Sequence, residues 1–332
     1  MKTSLKMLVL PAALWAAGAA AQSNVAVYGI VDVGLVRESG TPAGKATNVN
    51  SGLASGSRLG FKGAEDLGGG MKANFVLENG FNADTGAAGQ GGLLFGRQAF
   101  AGLSGQFGAV TLGRQYSPYY KALRDVGDPF GAVSLAGRAG NLMATNTRTD
   151  NMVELITPVL AGFSADLAYG AGETGGDNAR NRMLGGALAY AGGPLKAQLA
   201  FHQINNPTAT DHVNNTILVA SYDFGPLMVH AAGAVNCGPG LEDSRDFTAG
   251  VTVPFGVHKL LFSAVHHDDR TKPNKDARQW GIAYLRALSR RTDLYASYAT
   301  IANRNGASFK VGNATDKGTG PRALDLGLRH TF

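Results

Sequence analysis

The last eleven residues, Arg322 to Phe332, set Leu324, Leu326 and Leu328 at every second position, space them with small or polar side chains, and end on an aromatic terminus. A strand that crosses a bilayer shows lipid an apolar side chain at alternate positions and turns its other face to a lumen, so a period of two marks a spanning strand. The expected fold is all-β, a transmembrane β-barrel.

The amino terminus fits that destination. Lys2 and Lys6 precede an apolar run from Met7 to Ala17, and Ala19-Ala20-Ala21 stands before Gln22. This is the order of a secretory signal, so residues 1–21 are expected to be cleaved and residues 22–332 to form the barrel. The apolar run falls short of the roughly 20 residues that an uncleaved helical anchor needs. Beyond it no stretch offers about 18 uninterrupted apolar residues, which leaves a soluble exported β-protein or a barrel.

Composition supports the barrel. Hydrophobic residues make up 44% of the chain without long runs, charged residues only 16%, and Gly contributes 47 of 332 positions. A lumen face alternating with a lipid face dilutes apolar residues in this way. Cys237 is the sole cysteine, so no internal disulfide framework is available and stability must come from closure of the sheet. Of the formal charge of +6, two units leave with the signal. No dense basic stripe with interleaved aromatics appears, so no nucleic-acid partner is expected.

Alternating runs bounded by turn residues predict strands near 25–36, 55–67, 70–82, 93–104, 108–117, 150–159, 162–170 and 181–191. Eight more follow near 194–204, 214–224, 226–236, 245–255, 257–268, 277–288, 292–303 and 322–332, which makes sixteen. Connections alternate between tight turns, such as Gly192-Gly193, Gly225 and Gly256, and longer segments at 37–54, 118–149 and 304–321. Short turns at one end and long loops at the other are the pattern of an outer-membrane barrel. A sandwich or solenoid would account for the alternation, but not also for the strand number, the loop asymmetry and the aromatic terminus.

Several stretches then carry a family likeness: Ser57-Arg58-Leu59-Gly60-Phe61-Lys62-Gly63-Ala64-Glu65-Asp66-Leu67-Gly68, Gly96-Arg97-Gln98-Ala99-Phe100-Ala101-Gly102-Leu103, and Val110-Thr111-Leu112-Gly113-Arg114-Gln115. Asp128-Pro129-Phe130-Gly131 and the terminal Gly327-Leu328-Arg329-His330-Thr331-Phe332 extend it. The mature chain resembles the general trimeric porins of the Gram-negative outer membrane, of β-proteobacterial and neisserial type. The resemblance implies a sixteen-stranded antiparallel barrel with an inward-folded third loop, a homotrimer, and passive diffusion of ions and small hydrophilic solutes. It implies further partners: outer-membrane lipid and lipopolysaccharide, and the barrel-assembly machinery, which would read a terminal strand carrying Leu328 and Phe332.

Parity nominates lumen residues. Leu59 and Phe61 share the lipid face, leaving Arg58 and Lys62 inward; Ala73, Phe75 and Leu77 look outward, leaving Lys72, Asn74 and Glu78 inward. Phe100 and Gly102 are expected outward, which turns Arg97 in. A guanidinium held against lipid near mid-membrane costs about 2–4 kcal/mol, so energetics agree. By resemblance, Arg58, Arg97 and Arg148 form a basic wall opposite an inward loop at about 118–149, with Asp125 and Asp128 as its acidic side. Such a pair of faces would impose a transverse field on passing solutes. Asp-Pro-Phe-Gly stands where many related chains carry Glu before Phe-Gly, and Arg124 and Arg138 dilute the loop's acidity, so a mild anion preference is expected. Arg114 shares parity with Val110 and Leu112 and is expected to reach outward, where the resemblance places a subunit contact.

Other motifs lead elsewhere less well. Gly170, Gly172 and Gly175 spell a dinucleotide fingerprint, but no helix pattern follows it. His266, His267, Asp268 and Asp269 are adjacent on a strand and alternate in face, so they cannot all converge on a metal. No cofactor is called for, and no nucleophile, base and acid stand out as an enzyme's set. A substrate-specific channel remains the nearest alternative, ahead of a barrel that merely anchors adhesive loops or an outer-membrane enzyme.

Overall fold

The computed structural model describes residues 24–41, 44–239, 243–311 and 320–332, so the expected signal, residues 1–21, lies outside the described residues. In chain order the strands are β1 Asn24–Thr41, β2 Gly44–Ser51, β3 Arg58–Gly68, β4 Met71–Gly80, β5 Gln98–Gly105, β6 Gly108–Tyr116, β7 Arg148–Ile156 and β8 Phe163–Gly170. They continue with β9 Met183–Gly192, β10 Leu195–Asn205, β11 His212–Asp223, β12 Met228–Cys237, β13 Asp243–Phe255, β14 His258–Asp269, β15 Ala277–Ala287, β16 Thr292–Asn303 and β17 Arg322–Thr331. Every pairing is antiparallel, and β17 returns to β1 from Ile30↔Thr331 to Ser39↔Arg322, so the sheet closes. Closure leaves no strand edge facing lipid.

Among the described residues, seventeen segments make sixteen barrel strands. β2 pairs with β1 from Val33 to Thr41, and β3 pairs with the same strand from Asn24 to Ile30. They are two halves of one wall strand, interrupted at 52–57. Asp32 organises the interruption: its buried carboxylate accepts the backbone N–H groups of Leu53, Ala54 and Ser55 at 2.9–3.1 Å and the Tyr295 hydroxyl at 2.7 Å.

Two expectations need correction here. The stretch 37–54, read as a long loop, is largely strand: β1 runs to Thr41, and Gly44–Ser51 pairs with it. Gly-Lys-Ala-Thr-Asn-Val-Asn-Ser has one large apolar residue, Val49, and so almost none of the apolar alternation that marks a strand. The parity of β5 is also opposite to that expected. Ala99, Ala101 and Leu103 oppose Leu77, Phe75 and Ala73, so they share the outer face, and Phe100 faces the same side as Val76. Arg97 still turns inward, because it precedes the strand and obeys no strand period.

Tight turns behave as their glycines suggest. Gly193 and Gly256 hold φ of 54° and 59°, where a side chain would be strained. Exposed Leu324, Leu326 and Leu328 alternate with inward Asp325 on β17, as a lipid face requires. Among the described residues no helix is long and apolar enough to cross a membrane.

The third long connection, 117–147, folds into the barrel. Ser117 caps a short helix, α1 Pro118–Ala122, by accepting the Tyr120 N–H at 3.1 Å, and Pro118 opens the helix. The chain's apolar core lies between this loop and the inner wall: Tyr119, Leu123, Val126 and Phe130 pack with Ile217, Val219, Ala232 and Leu261. Polar bonds complete the seat, with His230 Nδ1 on the Val126 carbonyl at 2.9 Å, Ser263 Oγ donating to Gly137 O at 2.8 Å, and Ser297 Oγ accepting from Ala136 N at 3.2 Å.

Gly137 and Gly281 let the loop and β15 meet backbone to backbone. A Cβ on Gly281 would collide with the Gly137 Cα, so Gly281→Val should cost about 1–3 kcal/mol as overpacking. The check is the temperature at which the folded barrel loses its compact electrophoretic migration, which should fall in the variant while the far-ultraviolet β signature persists.

Candidate functional site

With the loop seated on the inner face of β10 to β16, the free lumen lies between the loop and the wall around β3, β5, β6 and β7. A cavity of about 350 Å³ marks it. Four guanidiniums line it: Arg58 at the start of β3, Arg97 before β5, Arg148 at the start of β7, and Arg124 from the loop itself. Tyr116 and Tyr120 stand among them, and the loop adds Gly131, Val133 and Ser134.

Each arginine is held. Glu78, on β4, accepts Arg97 Nε at 2.7 Å and lies 3.8 Å from Arg58 Nη1, and it also accepts the Tyr28 hydroxyl at 2.9 Å. Glu78 therefore belongs to the basic wall, where it partly neutralises two of its guanidiniums. Arg97 and Arg148 both donate to the Tyr116 hydroxyl. Arg124 is bound by both oxygens of Asp125 at 2.6 and 2.7 Å and lies 5.0 and 5.3 Å from the Tyr116 and Tyr120 ring centroids. Burial pulls the Arg124 pKa down, the Asp125 carboxylate outweighs it, and the group ends above its ordinary value.

Of the residues nominated from the sequence, Arg58, Arg97, Arg148 and Glu78 are brought together at one level. Lys62 and Lys72 are exposed on β3 and β4 outside the cavity lining, with Lys62 Nζ 5.2 Å from the Tyr28 ring centroid. Asp125 is spent on its neighbour Arg124. Asp128 does not face the lumen: it is 3% exposed, and its carboxylate accepts the N–H groups of Phe130, Ala132 and Ala139 at 2.7–3.0 Å. Burial pushes this carboxyl up to about 6, against the pull of those three donors. The acidic face expected of the loop is therefore replaced by neutral backbone and Ser134. Arg114 forms an ion pair with Asp150 of its own chain and donates to the Gly96 carbonyl at 2.8 Å. Phe332 exchanges backbone hydrogen bonds with Gly29 at 3.1 and 3.2 Å, which fastens the chain end to β1.

Sequence reasoning passed over Tyr116, Tyr120 and the wall-like role of Arg124. The available signal was Tyr116, Tyr120 and Arg124 at four-residue intervals where a strand gives way to a helix start.

A second loop anchor is Lys121, whose Nζ lies 2.8 Å from Glu154 and 2.5 Å from Asp166 on β7 and β8. Burial pulls its ammonium down, and the two carboxylates outweigh that and hold it above its ordinary value.

A closed barrel with a loop folded across its lumen and a charged gap beside that loop defines a channel protein of the outer-membrane kind. Residues 7–306 match the Gram-negative porin family, and the chain belongs to it. It is 32% identical to outer membrane porin protein 32 of Delftia acidovorans over 98% of this chain and 99% of that one. An outer membrane porin protein of Bordetella pertussis is 31% identical over 99% of this chain and all of its own length. Among solved structures, an anion-selective porin from Comamonas acidovorans superimposes with a TM-score of 0.82 at 28% identity, covering 94% of this chain and all of that one. The protein is thus an outer-membrane porin, and its family and fold are those of channels.

Proposed function

We propose that the channel is a general diffusion pore with a mild preference for anions, passing ions and small hydrophilic solutes through the gap beside the loop. One observation carries the preference: four guanidiniums line a cavity to which the loop adds no free carboxylate. A field of that sign raises the local concentration of anions and repels cations. The printed description of the Comamonas relative as anion-selective agrees with it. Arg58, Arg97 and Arg148 are the residues proposed to set the constriction, with Arg124 beside them, while Lys62 and Lys72 would act only as distant contributors to the field.

The tyrosines among these arginines favour one alternative, a channel with a preferred substrate. Liposome swelling separates the two. A general pore gives swelling rates that fall smoothly with solute size and run higher for organic anions than for cations of equal size. A single solute far above that trend would instead mark a substrate-specific channel.

The assembly is proposed to be a homotrimer in outer-membrane lipid and lipopolysaccharide, delivered by barrel-assembly machinery that reads the strand bearing Leu328 and Phe332. The apolar outer face of that strand and its closure on β1 support this reading. Arg114, already paired with Asp150, would join a subunit contact as an ion pair rather than as a lone charge.

A further inference from the structure

Tyr116 ends β6 where the inward loop begins. Its hydroxyl oxygen accepts from Arg97 Nη2 at 2.8 Å and from Arg148 Nη2 at 3.2 Å. The Arg148 guanidinium also lies 4.8 Å from the ring centroid, and Arg124 lies 5.0 Å from it. Three guanidiniums thus gather on one neutral side chain, Arg97 and Arg124 also paired with Glu78 and Asp125 and Arg148 in an ion pair with neither, against the mutual repulsion of the like charges.

A carboxylate could hold these groups, as Glu78 holds Arg97, but it would cancel part of their charge. A phenol oxygen has two lone pairs for two N–H donors and carries no charge, and the ring face attracts cations. Tyrosine therefore concentrates guanidiniums without cancelling any charge beyond what Glu78 and Asp125 already neutralise.

Resting on the porin reading above, we infer that Tyr116 is a positioning residue for ion selectivity. It fixes Arg97 and Arg148 at the constriction by accepting from both, and the anion preference depends on that shared oxygen as well as on the charges. The side chain is largely buried and its hydroxyl is taken up by the two guanidiniums, so it acts through the arginines.

The test uses the mature channel in planar bilayers, with reversal potentials under a salt gradient. Tyr116→Phe keeps the ring and its cation contacts and removes the oxygen. The anion-to-cation permeability ratio should fall about threefold, because both charges remain and only their placement is lost, while the barrel stays folded. In an Arg97→Gln, Arg148→Gln background the same substitution should leave the ratio where it stands. Arg148→Lys is an independent variant that retains the charge without the guanidinium fork, and it should lower the ratio as well. An unchanged ratio in Tyr116→Phe or in Arg148→Lys would overturn the inference, as would an equal fall in the double-glutamine background. A wild-type channel without anion preference would overturn the parent reading, and this one with it.

Discussion

Arg97→Ala channels are expected to lose most of their anion preference and to be distinctly less stable. Arg97 is buried, and its ion pair with Glu78 lies almost out of contact with solvent. Removing one partner of a buried pair typically costs about 3–5 kcal/mol, because the other charge is stranded. Here Arg58 and the Tyr28 hydroxyl still reach Glu78, which sets the expected cost at about 3 kcal/mol. The electrical effect is the loss of one positive charge, which leaves the negative field of Glu78 less neutralised in the same gap. Adding Glu78→Ala should recover much of the stability and part of the anion preference. Thermal melting of the folded barrel and reversal potentials check the two effects separately. Equal selectivity in wild-type and Arg97→Ala channels would remove Arg97 from the constriction.

Asp128→Ala is expected to unseat the inward loop while leaving the barrel closed. The carboxylate collects three backbone N–H groups, the farthest eleven residues along the chain, and one of them belongs to Ala132, which holds a φ of 65°. A non-glycine residue in that region is strained and persists only where its surroundings fix it. Each buried donor left without an acceptor costs about 1–3 kcal/mol, so the loop as folded becomes unfavourable by several kcal/mol. The wall strands share none of those bonds and should hold. Larger single-channel conductance with noisier open levels, and cleavage of the loop by added protease, should distinguish the variant from wild type. Asp128→Asn keeps one acceptor oxygen and should fall between the two.

Much of the barrel was legible because the bilayer imposes its period on every strand. The glycine turns, the sixteen wall strands and the inward Arg58 and Glu78 all follow from that constraint. Legibility ended where the constraint did. Residues 44–51 hold a single large apolar side chain, Val49, and so carry almost no alternating signal, and strand looked like loop. Arg97 lies in irregular chain, where parity has no meaning, and it reached the lumen despite a reversed reading of β5. Asp128 looked like a pore carboxylate because its charge is visible in the sequence and its three backbone partners are not. Tyr116 gave the least warning, since its role depends on arginines from two other segments that only the folded barrel brings to it.

The most direct test is the reversal potential of the wild-type channel in a planar bilayer under a potassium chloride gradient, recorded with its single-channel conductance. Steady ohmic steps with a reversal potential of the sign set by chloride are predicted. A folded barrel that conducts nothing, or one whose reversal potential takes the sign set by potassium, would contradict a water-filled pore governed by its arginine wall.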